Sequence, residues 1–128
     1  MSNDIKSAYY KSDVTSKIIK CAYEVHNDLG NGFQEVIYQR ALKREFIKNN
    51  LIFEREKEMV ILYKGSKIGD RRVDFLVDED IMVELKAVTK IEDVHFAQLI
   101  NYIEAYKVKL GLLINFGGRK LEVKRFFR

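Results

Sequence analysis

The sequence predicts an α/β fold in which a mixed sheet carries helices on its faces. Two observations lead to this prediction. Apolar residues recur at helical spacing up to about residue 49 and again at about residues 92–106. In the segments between and after these helices, apolar residues alternate with polar ones or form short continuous runs. The predicted order is therefore α-α-β-β-β-α-β-β, which favours a sheet with helices packed against it.

Length and composition are those of one globular domain. The chain has 128 residues, of which 47% are hydrophobic and 33% charged, as is usual for a folded protein. We expect a flexible N-terminal arm at residues 1–12 and a single domain at residues 13–128. The net charge of +4 permits an anionic partner such as nucleic acid without requiring one.

The sequence also bears on location. Cys21 is the single cysteine and cannot form an internal disulfide, and its apolar neighbours favour a place in the core. The N-terminus lacks the apolar run of a signal peptide, and no apolar stretch approaches the ~20 residues of a membrane-spanning helix. We expect a cytoplasmic protein with no membrane contact.

Two helices are predicted in the first fifty residues. The first begins at Ser12 or Asp13, either of which could cap it, and ends at Leu29. The GNG segment at 30–32 stops this helix, because glycine takes the left-handed conformation without steric cost. The second helix covers about 34–49 and ends at a polar KNN segment.

A period of two begins at about residue 53 and predicts strands. The short polar segments KGS and DED separate the first three strands. The later segment KLGLLINF is nearly all apolar, as expected for a strand covered on both faces. The predictions are strands at 58–63, 67–77 and 81–87, a helix at 92–106, and strands at 109–116 and 120–127.

The hairpin at residues 71–87 allows two registers. Because side chains alternate between faces, a slip of one residue inverts one strand relative to the other. An odd loop at Asp78–Asp80 makes one face wholly apolar, whereas an even loop mixes apolar residues with Glu and Lys. The pattern therefore selects the odd loop, with the pairs Val77–Ile81, Phe75–Val83 and Val73–Leu85.

This register places charges of the same sign opposite each other on the second face. Asp74 lies opposite Glu84, and Arg72 lies opposite Lys86. Opposed like charges destabilise a sheet because their Cβ atoms are only ~5 Å apart. A partly buried carboxylate pair therefore needs a proton, a basic neighbour or a metal cation.

Two interpretations of this face remain open from the residues alone. One is a cross-strand charge quartet with diagonal pairs Asp74–Lys86 and Arg72–Glu84. The other is a metal site with oxygen ligands, which suits Mg²⁺ or Mn²⁺. In the second interpretation Lys86 could orient or activate a water molecule, or hold a phosphate oxygen.

At these residues the sequence resembles the PD-(D/E)xK nuclease superfamily, whose signature is an acid followed by a strand carrying (D/E)xK. The matching positions are Asp74 and the ELK segment at 84–86. The segment GNGFQEVIYQRAL resembles the motif that names the bacterial GxxExxY family, with Gly32, Glu35 and Tyr38 in place. The segments VELKAV, HFAQLINYIEAY and KLGLLINFGG also resemble that family in order, so the resemblance covers about residues 14–125.

The resemblance implies a three-layer α/β/α sandwich with the restriction-endonuclease-like core of RecB-like members. It implies a site in which Glu35, Asp74 and Glu84 bind Mg²⁺ or Mn²⁺, while Lys86 and Gln98 assist catalysis. No proline precedes Asp74, where the founding motif has one. The residues expected to support or border this site are Tyr38, Tyr102, His26 and His95.

Several of these residues also have ordinary structural interpretations. Glu35 near a helix start complements the helix dipole, and Tyr38 suits a packing role with a hydroxyl hydrogen bond. His26 lies near the apolar stripe of the first helix, where a histidine is more often buried and hydrogen-bonded than a ligand. Gln98, His95 and Tyr102 share one face of the third helix.

Two functions follow as hypotheses. The first is a Mg²⁺-dependent nuclease that hydrolyses phosphodiester bonds of DNA, with a homodimer as one way for so small a chain to grip a duplex. The second is a catalytically silent nucleic-acid-binding or protein-interaction module that retains the nuclease fold. A charge-quartet scaffold with no nucleic-acid role is a third interpretation.

Overall fold

The computed structural model describes residues 9–128. Each predicted helix and strand is present, and most boundaries agree within three residues. The main difference is the first strand, which begins five residues earlier than its predicted start at residue 58 because its exposed first half lacks an apolar pattern. In chain order the elements are α1 (Ser12–Leu29), α2 (Glu35–Lys48), β1 (Phe53–Tyr63), β2 (Ser66–Val77), β3 (Ile81–Lys86), α3 (Asp93–Tyr106), β4 (Leu110–Asn115) and β5 (Glu122–Phe127).

The five strands form one mixed sheet in the order β1-β2-β3-β4-β5. β3 and β4 are parallel, and α3 connects them, whereas the other neighbouring strands are antiparallel. Central β3 and β4 are almost fully buried, as the apolar run in β4 predicted.

The core lies on both faces of the sheet, which makes the predicted three-layer α/β/α sandwich. On one face α1 and α2 pack against the sheet in a cluster that includes Cys21, Tyr38 and Phe75. On the other face Leu99 and Ile103 of α3 anchor a smaller cluster. Cys21 is 1% exposed, so its predicted place in the core is confirmed.

The start of α1 differs from the prediction. Lys11 is the N-cap residue and takes a left-handed conformation, and no side chain caps the helix. Ser12 and Asp13 instead lie in the first turn. Residues 1–8 of the predicted arm lie outside the described residues, whereas Tyr10 and Lys11 contact the β2–β3 turn. The Tyr10 hydroxyl donates to the Asp80 carboxylate, and Lys11 Nζ lies 2.7 Å from Asp80 Oδ1.

The odd-loop register of the β2–β3 hairpin is confirmed, but the ladder is shorter than predicted. The paired residues are Phe75–Val83, Leu76–Met82 and Val77–Ile81. The predicted pair Val73–Leu85 is wrong, because these side chains pack on opposite faces of the sheet. On β1, Glu56 lies between the residues that pair with Val73 and Phe75 of β2. Its left-handed φ of 53° marks the local break in alternation.

Candidate functional site

Asp74 and Glu84 meet where β2 separates from β3. The backbone N–H of Asp74 donates to Glu84 Oε1 at 3.0 Å, and the backbone N–H of Leu85 donates to Asp74 Oδ2 at 2.8 Å. Each carboxylate therefore takes a backbone donor of the opposite strand, in place of the ladder bonds that end at Phe75. The structure thus brings together the two acids that the hairpin pattern predicted to be neighbours.

The cation beside Glu84 is Arg71. Its Nη2 atom lies 2.5 Å from Glu84 Oε2, and its Cζ atom lies 4.8 Å from the centre of the Tyr102 ring. The predicted charge quartet is therefore wrong: Arg72 is exposed and lies opposite Glu58 of β1. The quartet assumed unbroken alternation along β2, and the break at Asp74 turns Arg71 toward Glu84 instead.

Gln39 of α2 holds Asp74 from the other side. It is 6% exposed, and its Nε2 atom donates to Asp74 Oδ1 at 2.7 Å. Neither Gln39 nor Arg71 was predicted from the sequence as a site residue. A signal for Gln39 was available, since it follows Glu35 by four residues and so shares its helix face. The position of Arg71 depends on the strand break and had no such signal.

All four carboxylate oxygens of the pair therefore accept a protein donor. Gln39 and the backbone amide of Leu85 donate to Asp74. Arg71 and the backbone amide of Asp74 donate to Glu84. Within residues 9–128, no group of three or more His, Cys, Asp or Glu side chains is arranged to hold a metal ion. Glu35 is exposed at the start of α2, where it still interacts electrostatically with Asp74.

Burial sets the electrostatics of the site. It raises the pKa of Glu84 to about 7, and the neighbouring Asp74 charge adds to this rise while Arg71 opposes it. Burial also raises the pKa of Asp74, which the Leu85 amide and Gln39 partly offset. The pKa of Glu35 is raised by desolvation first and by Asp74 second, whereas Lys86 lowers it. These three acids and Lys86 thus share one electrostatic environment.

A narrow cleft between β3 and α3, with no room for a water molecule, adjoins Glu84. Lys86 at the end of β3 and the exposed Gln98 of α3 both line it. The side chains that line the cleft are Glu84, Lys86, His95, Gln98, Leu99, Tyr102 and Leu113. His95 is fixed at its rim, because Nδ1 accepts the backbone N–H of Glu92 at 3.0 Å and completes a capping box at the start of α3.

The two remaining predicted residues do not line this cleft. Tyr38 is fully buried, and its hydroxyl donates to the Gly30 carbonyl at 2.6 Å and accepts the Phe33 N–H at 3.2 Å. It therefore fixes the loop that precedes Glu35. His26 is 7% exposed and donates from Nε2 to the Gly118 carbonyl at 3.0 Å, which is the buried, hydrogen-bonded arrangement.

The donor chemistry of the site fits a hard divalent cation. Paired carboxylates supply the oxygen ligands that Mg²⁺ and Mn²⁺ prefer, and burial of the pair favours a partner of opposite charge. Each oxygen already accepts one hydrogen bond, so a bound cation would take a remaining lone pair or displace one of these protein donors.

The fold and this site define a small α/β protein of nuclease type, with an acid pair at a strand separation and a lysine two residues beyond the second acid. The family model of the PD-(D/E)XK nuclease superfamily matches residues 12–126. The chain therefore belongs to the PD-(D/E)XK nuclease superfamily. Members of this superfamily act on nucleic acid and generally use divalent metal ions.

Among solved structures, the chain is similar to the crystal structure of SSO0001, with a TM-score of 0.58 and 20% sequence identity. The match covers 96% of this chain and 62% of that chain. At this identity the likeness supports the fold alone. No curated protein matches the chain significantly. No helix within residues 9–128 is long and apolar enough to cross a membrane.

Proposed function

We propose that this protein is a Mg²⁺- or Mn²⁺-dependent nuclease that hydrolyses phosphodiester bonds of DNA. The observation that carries the proposal is the contact between Asp74 and Glu84 at the separation of β2 and β3, beside a cleft that contains Lys86. Membership of the nuclease superfamily supports the same reaction class.

In this proposal Asp74 and Glu84 are metal ligands, and Glu35 joins them from α2. The electrostatic coupling of Glu35 to Asp74 supports its inclusion. When bound, the cation would polarise the scissile phosphate and stabilise the charge that develops on its oxygens. Gln39 holds the Asp74 carboxylate in a fixed orientation by its hydrogen bond to Oδ1.

Lys86 and Gln98 are proposed to act on the substrate or on the attacking water. Lys86 interacts electrostatically with the carboxyl groups of Glu35 and Asp74, and it suits binding of a phosphate oxygen or orientation of the attacking water. Gln98 of α3 lines the same cleft and suits a hydrogen bond to the same groups. Tyr102 and His95 border this arrangement. Tyr38 of α2 and His26 of α1 support it by hydrogen bonds to the carbonyls of Gly30 and Gly118.

We further assign the chain to the GxxExxY group within the superfamily, because each motif residue has a physical role here. Gly32 has a φ of 109°, a conformation that side chains disfavour. Tyr38 closes the loop through the Gly30 carbonyl. Glu35 lies between them as the first residue of α2. The motif thus fixes the loop that presents Glu35.

The assembly, domain and location are part of the proposal. A chain of 128 residues leaves little room for a substrate-gripping subdomain, so a homodimer would help it to grip a duplex. Residues 13–128 are proposed as one domain with residues 1–12 as its arm. A cytoplasmic location suits the single buried Cys21, which has no disulfide partner.

The test is cleavage of linear and circular DNA and of RNA, with Mg²⁺, Mn²⁺ or EDTA. We expect metal-dependent cleavage of DNA that Asp74→Ala and Lys86→Ala abolish, with far-UV circular dichroism unchanged. Lys20→Ala, on an exposed position of α1, removes the same charge and should retain activity. Absence of cleavage and of divalent-metal binding in the wild type would refute the proposal.

A second candidate is a silent nucleic-acid-binding module, and one observation favours it. The acid pair is fully hydrogen-bonded by protein donors, and residues 9–128 contain no assembled three-ligand site. This candidate predicts salt-dependent DNA binding that Asp74→Ala leaves unchanged. The nuclease proposal predicts instead that the metal-dependent part of binding is lost in that variant.

A further inference from the structure

We propose that Arg71 is a resident counter-cation of the acid pair, and that Arg71 and a divalent metal ion occupy Glu84 alternately. The inference rests on the proposed function, because it takes Glu84 as a metal ligand. Arg71 lies outside the family motifs. In this inference, metal binding at Glu84 depends on displacement of the Arg71 side chain.

The first support is the contact itself. Arg71 Nη2 lies 2.5 Å from Glu84 Oε2, and Glu84 Oε1 already accepts the backbone N–H of Asp74. Glu84 is only 3% exposed, so little space remains around its carboxylate. A guanidinium and a divalent cation on the same buried oxygen would repel each other strongly. Metal coordination at Oε2 therefore requires Arg71 to leave.

The second support is an unpaired atom on Arg71. Its Nε atom is buried and has no hydrogen-bond partner within the described structure. A buried N–H without an acceptor is unfavourable, so the arrangement at Glu84 satisfies the guanidinium only in part. Release of the side chain toward water would remove this cost, and this lowers the barrier to exchange with a metal.

The third support is the position of Arg71 at the edge of the site. Its guanidinium lies over the Tyr102 ring, with Cζ 4.8 Å from the ring centre, and about a third of its side chain (32%) is exposed. The side chain can therefore move outward without disturbing the core. The Tyr102 ring can keep a cation–π contact with the guanidinium beside the cleft after it leaves Glu84.

The experiment is calorimetric titration of Mn²⁺ into the wild type, Arg71→Met and Arg72→Met at about pH 8. Arg71→Met removes the charge and keeps an apolar stem against Tyr102. Arg72→Met removes the same charge from an exposed neighbour and is the matched control. We expect Arg71→Met to bind Mn²⁺ at least about tenfold more tightly than Arg72→Met, because no charge-assisted hydrogen bond must break first.

Equal or weaker Mn²⁺ binding by Arg71→Met would overturn the inference. The nuclease proposal would survive that result if the wild type still binds metal and cleaves DNA. Absence of metal binding in all three proteins would overturn both.

A measurement on the wild type keeps the inference testable if Arg71→Met does not fold. The ¹⁵N resonance of the Arg71 Nε–H group, assigned with Arg71→Lys, should shift on Mg²⁺ addition together with the Tyr102 ring signals. Resonances that stay unchanged at saturating Mg²⁺ would contradict the exchange.

Discussion

The Glu84 carboxylate accepts a hydrogen bond from the backbone N–H of Asp74 at 3.0 Å. The two acids therefore interact by a hydrogen bond to the backbone of β2 as well as by the repulsion between their charges. The reciprocal bond runs from the Leu85 amide to Asp74 Oδ2 at 2.8 Å. At this point the two carboxylates accept the backbone N–H groups that carbonyls accept along the rest of the hairpin. The separation of the strands and the position of the acids are consequently one structural feature, which a change in either acid should disturb.

The stability of the metal-free protein should fall as pH rises from about 4.5 to about 7. Glu84 has a folded-state pKa of about 7 against its ordinary 4.5. The folded state therefore binds more protons than the unfolded state in this window, and the slope of unfolding free energy against pH is negative. The raised pKa corresponds to about 3 kcal/mol across the window. Urea unfolding in EDTA measures the slope.

Glu84→Gln is the matched variant for this prediction, since it is neutral at every pH. We expect a flatter pH dependence between about pH 4.5 and 7, while the raised pKa values of Glu35 and Asp74 contribute a slope of the same sign. Identical slopes in the wild type and Glu84→Gln would show that Glu84 does not titrate in this range.

Gln39→Met should lower stability and cleavage together, whereas Gln98→Met should lower cleavage alone. Gln39 is buried and donates to Asp74 Oδ1 at 2.7 Å, so its loss leaves a buried carboxylate short of one donor. The expected cost is about 1.5–3 kcal/mol. Gln98 is exposed, and its replacement should change stability by less than about 0.5 kcal/mol. Equal losses of stability in the two variants would contradict the assignment.

Tyr38→Phe should loosen the loop before α2. The variant keeps the ring stacked on Phe116 and removes only the hydroxyl bonds to Gly30 and Phe33. We expect a loss of about 1–2 kcal/mol in unfolding free energy. Tyr23→Phe removes an exposed hydroxyl of α1 and serves as control. The prediction fails if both variants unfold at the same urea concentration.

Gly111→Ala should push α3 away from the sheet and so disturb the cleft. A Cβ at Gly111 of β4 would lie 2.0 Å from Ile103 Cδ1, and Ile103 is fully buried in α3. Overpacking of this kind costs about 1–3 kcal/mol, and cleavage should fall because α3 carries Gln98. Gly69→Ala in β2 is the control, since nothing lies within 4 Å of its added Cβ. Equal stability of the two variants would refute close packing at Gly111.

Much of the fold could be predicted because it depends on local patterns. The Gly30 and Gly32 turn, the short and mostly apolar β3 and the apolar run of β4 each define an element without reference to the rest of the chain. The odd-loop register could also be predicted, since only that register puts Phe75 and Val83 on one apolar face. The family resemblance then implied that Glu35 is a metal ligand. The pattern alone indicates only an acid at the start of a helix.

What could not be predicted depends on the break at Asp74. Alternation assigned Val73 to the face of Leu85, but it packs against α3, and the neighbouring arginine that reaches Glu84 is Arg71 rather than Arg72. A regular period of two contains no information about the residue at which a strand departs from its partner. That departure results from side chains that compete for backbone donors, and those side chains meet only in the folded sheet.

The element order, the mixed sheet and the pairing of Asp74 with Glu84 are thus properties of the sequence, because each follows from periodicity and from one choice of register. The partners of that pair depend on tertiary packing. Gln39 comes from α2 and Arg71 from before the strand break, and their contacts with the acids span 35 and 13 residues of sequence. Such contacts depend on how helices and strands pack, which no local pattern specifies.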